Sequence, residues 1–278
     1  DRFYSYDYYL NNCSTAVRDV IDDAVGGRLN PILEAIKTES TFRSETRRLM
    51  PVGFVNRVLI VGMDLAAGRK SDRKLNASEE SFVPMRLGPY LQNVVLTDAD
   101  GSQRKLVSES RVLNVATSSG NFEPTVAASP IWITGAIGLL GAIKLILIRN
   151  KKRWTLITIG IWSAIASLMA IIFLGGWLFT EHWAMRANEN VLMFNPLWFV
   201  VLVGILWKRA RCAARTARMV IASLTIIALL MKLLPGNQSN WPALALGVPI
   251  NLAAAVVFWR LKNGRIEMPS ESTHESAA

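Results

Sequence analysis

Five apolar runs fill the second half of this chain, and they limit its folds more than any other feature. They read IWITGAIGLLGAIKLILI (131–148), WTLITIGIWSAIASLMAIIFLGGWLF (154–179), VLMFNPLWFVVLVGILW (191–207), MVIASLTIIALLMKLL (219–234) and PALALGVPINLAAAVVFW (242–259). A membrane span needs roughly 20 mostly apolar residues, with about 17 as the lower limit. Buried helices of a large soluble core give similar hydropathy. However, such helices are not joined by short strongly basic links, and these runs are. The 278-residue chain carries a formal charge of +10 although 51% of it is hydrophobic. An all-α membrane domain of five transmembrane helices over 130–262 is therefore expected.

Orientation follows from arginine and lysine in short links. RNKKR, KRARCAARTAR and RLKNGR fall on one side if all five runs cross; TEHWAMRANEN and PGNQSN, with one arginine between them, fall on the other. The basic side is expected to be cytoplasmic, placing residues 1–129 outside. Tryptophans 132, 154, 177, 183, 207, 241 and 259 sit at run ends as interfacial anchors. Lys144 and Lys232 lie near run ends, Lys232 being expected to snorkel to the headgroups. With so few intramembrane charges, a transport pathway is not expected. The basic excess is topological and calls for no nucleic-acid partner.

Residues 1–129 read as an exported α+β domain, and 263–278 as a disordered cytoplasmic tail. STAVRDVIDDAV puts Val17, Ile21, Ala24 and Val25 on one helical face, stopped by Gly26-Gly27 and capped by Asn11, Asn12 or Ser14. PVGFVNRVLIVGMDLAAG predicts a strand, or a helix broken at Gly62. NVVLTDADGSQRKLV predicts a hairpin around Asp100-Gly101. GRKSDRK reads as a solvated basic loop, and NVATSSGNFEPTVAASP as a polar linker. The chain begins at Asp1 with neither Met nor leader, so a mature product or a fragment is expected.

Cys13 is the one cysteine of the exported region; Cys212 lies in a basic link across the membrane. A thiol opening a helix is activated by the helix dipole, and the free backbone N–H groups there can hold an oxyanion. The alternative is a small hydrophobe at a helix start. A nucleophilic thiol usually needs a base, most often histidine. His274 is in the tail, leaving His182 as the candidate, with an interfacial residue beside Trp183 as its bland reading. Asn188, Asn190 and Asn195 make the His182 link rich in amides, which suggests a polar pocket or simply helix caps. No metal-ligand spacing and no phosphate loop is present, so neither cofactor nor metal is expected.

YSYDYYLNNCSTAVRDVID resembles the Asn-Cys-Ser/Thr-Thr…Arg-Asp signature of the DUF4105 family, that of the Lnb-type lipoprotein N-acyltransferases. TFRSETRRLM, GRKSDRKLNASEESFVPMRL and EHWAMRANENVLMFNPLWFVVL resemble its later segments, so the likeness spans roughly residues 3–90 and 180–205. The resemblance implies a partial, permuted papain-like thiol domain on a helical membrane part. It also implies Cys13 as nucleophile with Asn12, Ser14 and Thr15 around it, and Arg18-Asp19 as the Arg-Asp pair. A histidine upstream of the cysteine is implied too, in a segment this sequence lacks. The function expected is acyl transfer from a lipid or lipoprotein, through a Cys13 thioester, to a lipoprotein's N-terminal amine in the bacterial inner membrane. An exported papain-like peptidase or amidase and a non-catalytic membrane scaffold are the alternatives. Oligomeric state is left open.

Overall fold

The computed structural model describes residues 5–50, 53–111 and 131–263. The linker at 112–130 and the tail beyond 263 lie outside the described residues, so the expectations for them stay as stated. The chain divides into two compact units. The first takes the described residues of Asp1–Pro130 together with two short segments, Gly176–Asn188 and Gly236–Ser239. The second takes Ile131–Gly175, Glu189–Pro235 and the remainder from Asn240.

The first unit is α+β. It runs α1 (Cys13–Ala24), α2 (Leu29–Ala35), β1 (Lys37–Thr41), α3 (Phe42–Leu49), α4 (Phe54–Ala66), a 3-10 turn (Arg69–Asp72), β2 (Lys74–Asn76), α5 (Ala77–Glu80), α6 (Pro84–Asn93), β3 (Val95–Thr97) and β4 (Gln103–Lys105). Strands β1 and β2 pair antiparallel, as do β3 and β4. The β3–β4 hairpin turns at Asp100-Gly101, where Gly101 has φ +83°. Gly26 and Gly27, with φ +72° and +75°, end α1 by taking left-handed conformations that other residues adopt at a cost.

Two apolar clusters hold this unit. Leu29, Leu33, Ala77, Val94 and Leu96 form one, with Ile21 and Val25 of the α1 segment packed against it. Val17, expected on that face, is half exposed instead. Phe42, Leu75, Phe82 and Val83 form the other, with Tyr9 and Trp183 against it. Trp183 is thus no interfacial anchor. Its ring meets Phe42 at 5.0 Å and Tyr9 at 5.5 Å between centroids, and its indole N–H donates to Asp7 Oδ2 at 3.0 Å.

Helix α4 runs unbroken through Gly62, which settles the strand-or-helix ambiguity. Its cause is tertiary. A helix leaves its last four carbonyls without partners, and here side chains from elsewhere in the unit take them. Arg43 donates to Asp64 O at 2.8 Å and to Ala67 O at 2.9 Å. Asn188 Nδ2 donates to Leu65 O and Ala66 O at 2.9 and 3.0 Å, and Gln238 Nε2 donates to Ala67 O at 2.7 Å. Gly68 follows, its N–H donating to Ala184 O at 2.7 Å, in a place so tight that a Cβ would strike the Arg186 carbonyl.

The second unit is all-helical: α7 (Ile131–Leu147), α8 (Lys152–Phe179, its first part), α9 (Leu197–Leu206), α10 (Arg211–Leu230) and α11 (Trp241–Asn263). Four helical stretches are long and apolar enough to cross a membrane: Lys152–Phe179, Glu189–Leu206, Lys208–Leu233 and Trp241–Trp259. The chain is therefore a multi-pass membrane protein by length and composition. Helix α7 is apolar but has 17 residues. Helix α10 begins at Arg211, so most of the link expected as KRARCAARTAR is helical.

Small residues and polar bridges join these helices, the means available where apolar burial drives nothing. Gly135, Gly138 and Gly141 bring α7 against Ala245, Leu246 and Ile250 of α11. Pro249 has no N–H to offer the carbonyl of Ala245 four residues back, and that carbonyl is the atom nearest Gly138. Asn251 of α11 accepts from Trp162 Nε1 of α8 at 3.0 Å and donates to Thr225 Oγ1 of α10 at 3.0 Å. Lys232, expected to snorkel, pairs with Glu189 at 3.2 Å, and both are nearly buried.

Candidate functional site

The segment around Cys13 is built by its neighbours' hydrogen bonds. Asn12 caps α1: its Oδ1 accepts from Ser14 N at 2.8 Å and Thr15 N at 3.0 Å. Its Nδ2 donates to Tyr8 O and Phe82 O, both at 2.9 Å. All four bonds of the amide are used, two as acceptor and two as donor. That explains asparagine over the other good caps, since aspartate would turn a lone pair toward two carbonyls. Thr15 Oγ1 closes the capping box by accepting from Asn12 N at 2.8 Å. Ser14 Oγ donates to Ser81 O at 2.6 Å, and Arg18 Nη1 donates to Ser78 O at 2.7 Å. Arg18 also pairs with Asp19 at 2.6 Å, the Asp19 side chain being half exposed.

These contacts pin the start of α1 to the Ser78–Phe82 segment. Asn12, Ser14 and Thr15 are all buried. Cys13 stands between them, exposed and free. As the first helical residue its amide has no intrahelical acceptor, and none is present among the described residues. The amides of Ser14 and Thr15 are taken by Asn12, so of these three N–H groups one, that of Cys13 itself, is left for an oxyanion.

Asn12→Ala removes a cap and orphans one buried carbonyl, Phe82 O, besides the partly buried Tyr8 O. A lost cap costs about 1 kcal/mol and a buried unpaired group about 1–3 kcal/mol. Loss of about 2–4 kcal/mol is expected, read as faster hydrogen exchange through residues 12–16, with Asn12→Asp regaining the cap amides but not Tyr8 O and Phe82 O.

His182 is exposed and belongs to the same unit as Cys13. Its backbone N–H donates to Thr180 Oγ1 at 3.3 Å and its carbonyl accepts from Met185 N at 2.9 Å. No hydrogen bond joins its ring to Cys13 among the described residues. The adjacent Trp183, through Asp7 and Tyr9, ties this link to the residues just before Cys13. Asn188 caps α4. Asn190, buried, accepts from Asn240 Nδ2 at 2.7 Å. Asn195 accepts from Leu197 N at 3.1 Å and donates to Leu192 O at 3.0 Å, at the start of α9.

One cluster was not anticipated from the sequence. Arg43, 3% exposed, forks onto Asp72 through Nε at 2.7 Å and Nη2 at 3.0 Å, besides capping α4. Arg47 Nε donates to Asp64 Oδ1 at 2.8 Å. Asp72, in the stretch read as a solvated loop, also accepts from Ser239 N at 3.0 Å. The signal available was Asp64 itself, a lone carboxylate in the apolar run VLIVGMDLA. Elsewhere in the unit, burial and then the Glu80 hydrogen bond push the Tyr90 phenol well above its ordinary pKa. Among the described residues no group of three His, Cys, Asp or Glu side chains could hold a metal ion.

Compared with known proteins, the chain matches no family model, no curated protein and no solved structure.

Proposed function

We propose that this chain is a membrane-bound thiol acyltransferase of the Lnb type, with Cys13 as nucleophile. The observation that carries the reading is the contrast at the start of α1. Asn12, Ser14 and Thr15 are buried and bonded, while Cys13 between them is exposed, at a helix N-terminus where the dipole favours a thiolate.

In the first step the Cys13 thiolate attacks the carbonyl carbon of a fatty ester on a lipid or lipoprotein. A C–S bond forms, the ester C–O bond breaks, and the alcohol leaves with a proton. In the second, the free amine of a lipoprotein's N-terminal residue attacks the thioester. An amide forms, the thiolate is released and the amine loses its proton. His182 is the proposed base. The support for it is its place in the unit that holds Cys13, on the link whose Trp183 is bonded to Asp7. The papain-like character of the first unit and the lipoprotein acceptor rest on the resemblance of the NNCSTAVRD stretch to that family.

The proposed setting is the bacterial cytoplasmic membrane with five spans, the first unit outside and the C-terminus inside. The RNKKR link supports α7 as the fifth span, as does its glycine-mediated packing on α11. An interfacial site suits a diacyl substrate, because moving acyl chains into water costs about 0.8 kcal/mol per methylene.

The test is intact mass spectrometry of the detergent-purified protein after incubation with a diacylated lipopeptide. A single fatty-acyl increment is expected, removed by hydroxylamine and absent in Cys13→Ser. Loss of the adduct in His182→Gln, with folding kept, would assign the base. No adduct on the wild type would favour a non-catalytic scaffold, a reading to which the missing His182–Cys13 bond gives some weight.

A further inference from the structure

The first unit contains a cavity of about 160 Å³ walled by α3, α4 and the segment at Ala184-Met185. Its lining is polar at one side, where Arg43, Arg47 and Asp64 stand, and otherwise mostly apolar, with Met50, Met63 and Met185. We propose that it binds the head of a zwitterionic, amine-bearing phospholipid.

Two unmet hydrogen-bonding capacities define the ligand. Asp64 is 3% exposed, and while its Oδ1 accepts from Arg47, its buried Oδ2 has no partner among the described residues. A buried acceptor left open is uncommon and asks for a donor. Arg47 spends Nε on Asp64, and its two Nη groups donate to nothing among the described residues. The ligand must therefore offer a donor to a carboxylate and an acceptor to a guanidinium, the pairing that ammonium and phosphate satisfy best.

Charge narrows it further. Arg43 is paired with Asp72, which stands outside the lining, and Arg47 with Asp64, so the ion pairs at the wall sum to zero charge. A ligand of net charge would be desolvated there without compensation, whereas a zwitterion is not. Size agrees, since a cavity of about 150 Å³ holds a ring of six carbons, and a phosphoethanolamine head is of that order. The three methionines supply adaptable apolar surface where the head meets its glycerol and chain roots.

The lipid source is argued from chain order. Ala184 and Met185 belong to the link between two helices long and apolar enough to cross a membrane, Lys152–Phe179 and Glu189–Leu206. The cavity wall is thus within six residues of a span in both directions. This proposal does not depend on Cys13 chemistry, and its readout involves no acyl transfer, so either reading can fail alone.

The test uses the full chain in vesicles of equal phosphatidylethanolamine and phosphatidylglycerol, released for native mass spectrometry. Preferential retention of phosphatidylethanolamine by about tenfold is expected, the factor one hydrogen bond to a charged group supplies. Met63→Trp, which fills the cavity, should abolish the preference while the melting temperature stays near the wild type. If that variant unfolds, Ala66→Leu takes its place. Equal retention, preference for phosphatidylglycerol, or a preference untouched by the filling variants would overturn the proposal. Soluble glycerophosphoethanolamine should compete weakly; competition equal to that of the lipid would overturn the lipid assignment in favour of a free solute.

Discussion

Arg43→Met should unfold the end of α4 and cost about 3–5 kcal/mol, the range for breaking a buried charge pair by removing one partner. The guanidinium is 3% exposed and serves Asp72 twice and the carbonyls of Asp64 and Ala67 once each. Methionine matches its length but donates nothing. Asp72 is left with Ser239 N as its remaining partner named above, and two helix-end carbonyls lose a donor that also complements the helix dipole. Arg43→Lys should fall between, since one ammonium cannot reproduce a planar fork. Hydrogen exchange of amides 60–72 in the detergent-solubilised protein reads the effect, with protection falling roughly 10²–10³-fold in Arg43→Met. Arg73→Met supplies the contrast. Its pair with Glu79 at 2.5 Å is half exposed on the arginine side, and such pairs are worth about 0–1 kcal/mol. Equal losses in Arg43→Met and Arg73→Met would mean that burial of the Arg43 network carries no extra stability.

That network also shows where sequence reading stopped. The features set by neighbouring residues were legible: the glycine stop after α1, the Asn12 cap among three candidates, the Asp100-Gly101 hairpin and the apolar helices. Helix α4 was not, because VLIVG is rich in β-branched residues and its helical state depends on Arg43, Asn188 and Gln238, donors up to 171 residues away. Trp183 was misplaced for a related reason. An indole at a run end fits an interfacial belt equally well, and only the tertiary contact with Phe42, Tyr9 and Asp7 removes it from that set. At the candidate site the sequence offered Asn12, Ser14 and Thr15 as an undifferentiated polar surround. Their burial and bonding give them one shared task, fixing the backbone under Cys13. The same network takes up two of the helix-terminal N–H groups expected to serve an oxyanion.

Labelling the protein's two cysteines from one side of the membrane should modify Cys13 and leave Cys212 untouched. Both are free and exposed, and the chain has no others. Between them lie α7, α8 and the Glu189–Leu206 stretch, and the last two meet the length for a span. The parity of crossings therefore rests on α7 alone. Its 17 residues, at 1.5 Å each, reach about 26 Å against a hydrocarbon core of about 30 Å. A mismatch of that size costs fractions of a kcal/mol per Å and is met by local thinning. Burying its apolar length in lipid should outweigh this, as Trp132, Ile137, Leu140 and Leu147 are each more than half exposed. A membrane-impermeant maleimide on spheroplasts should thus add one label, absent in Cys13→Ser, and permeabilisation should add the second at Cys212. Two labels at once, or none before permeabilisation, would mean that α7 does not cross. Cys13 would then share a side with the basic RARCAARTAR segment, which the positive-inside rule assigns to the cytoplasm. A thiol there meets no exported lipoprotein, so the acyl-transfer reading would fall with the fifth span.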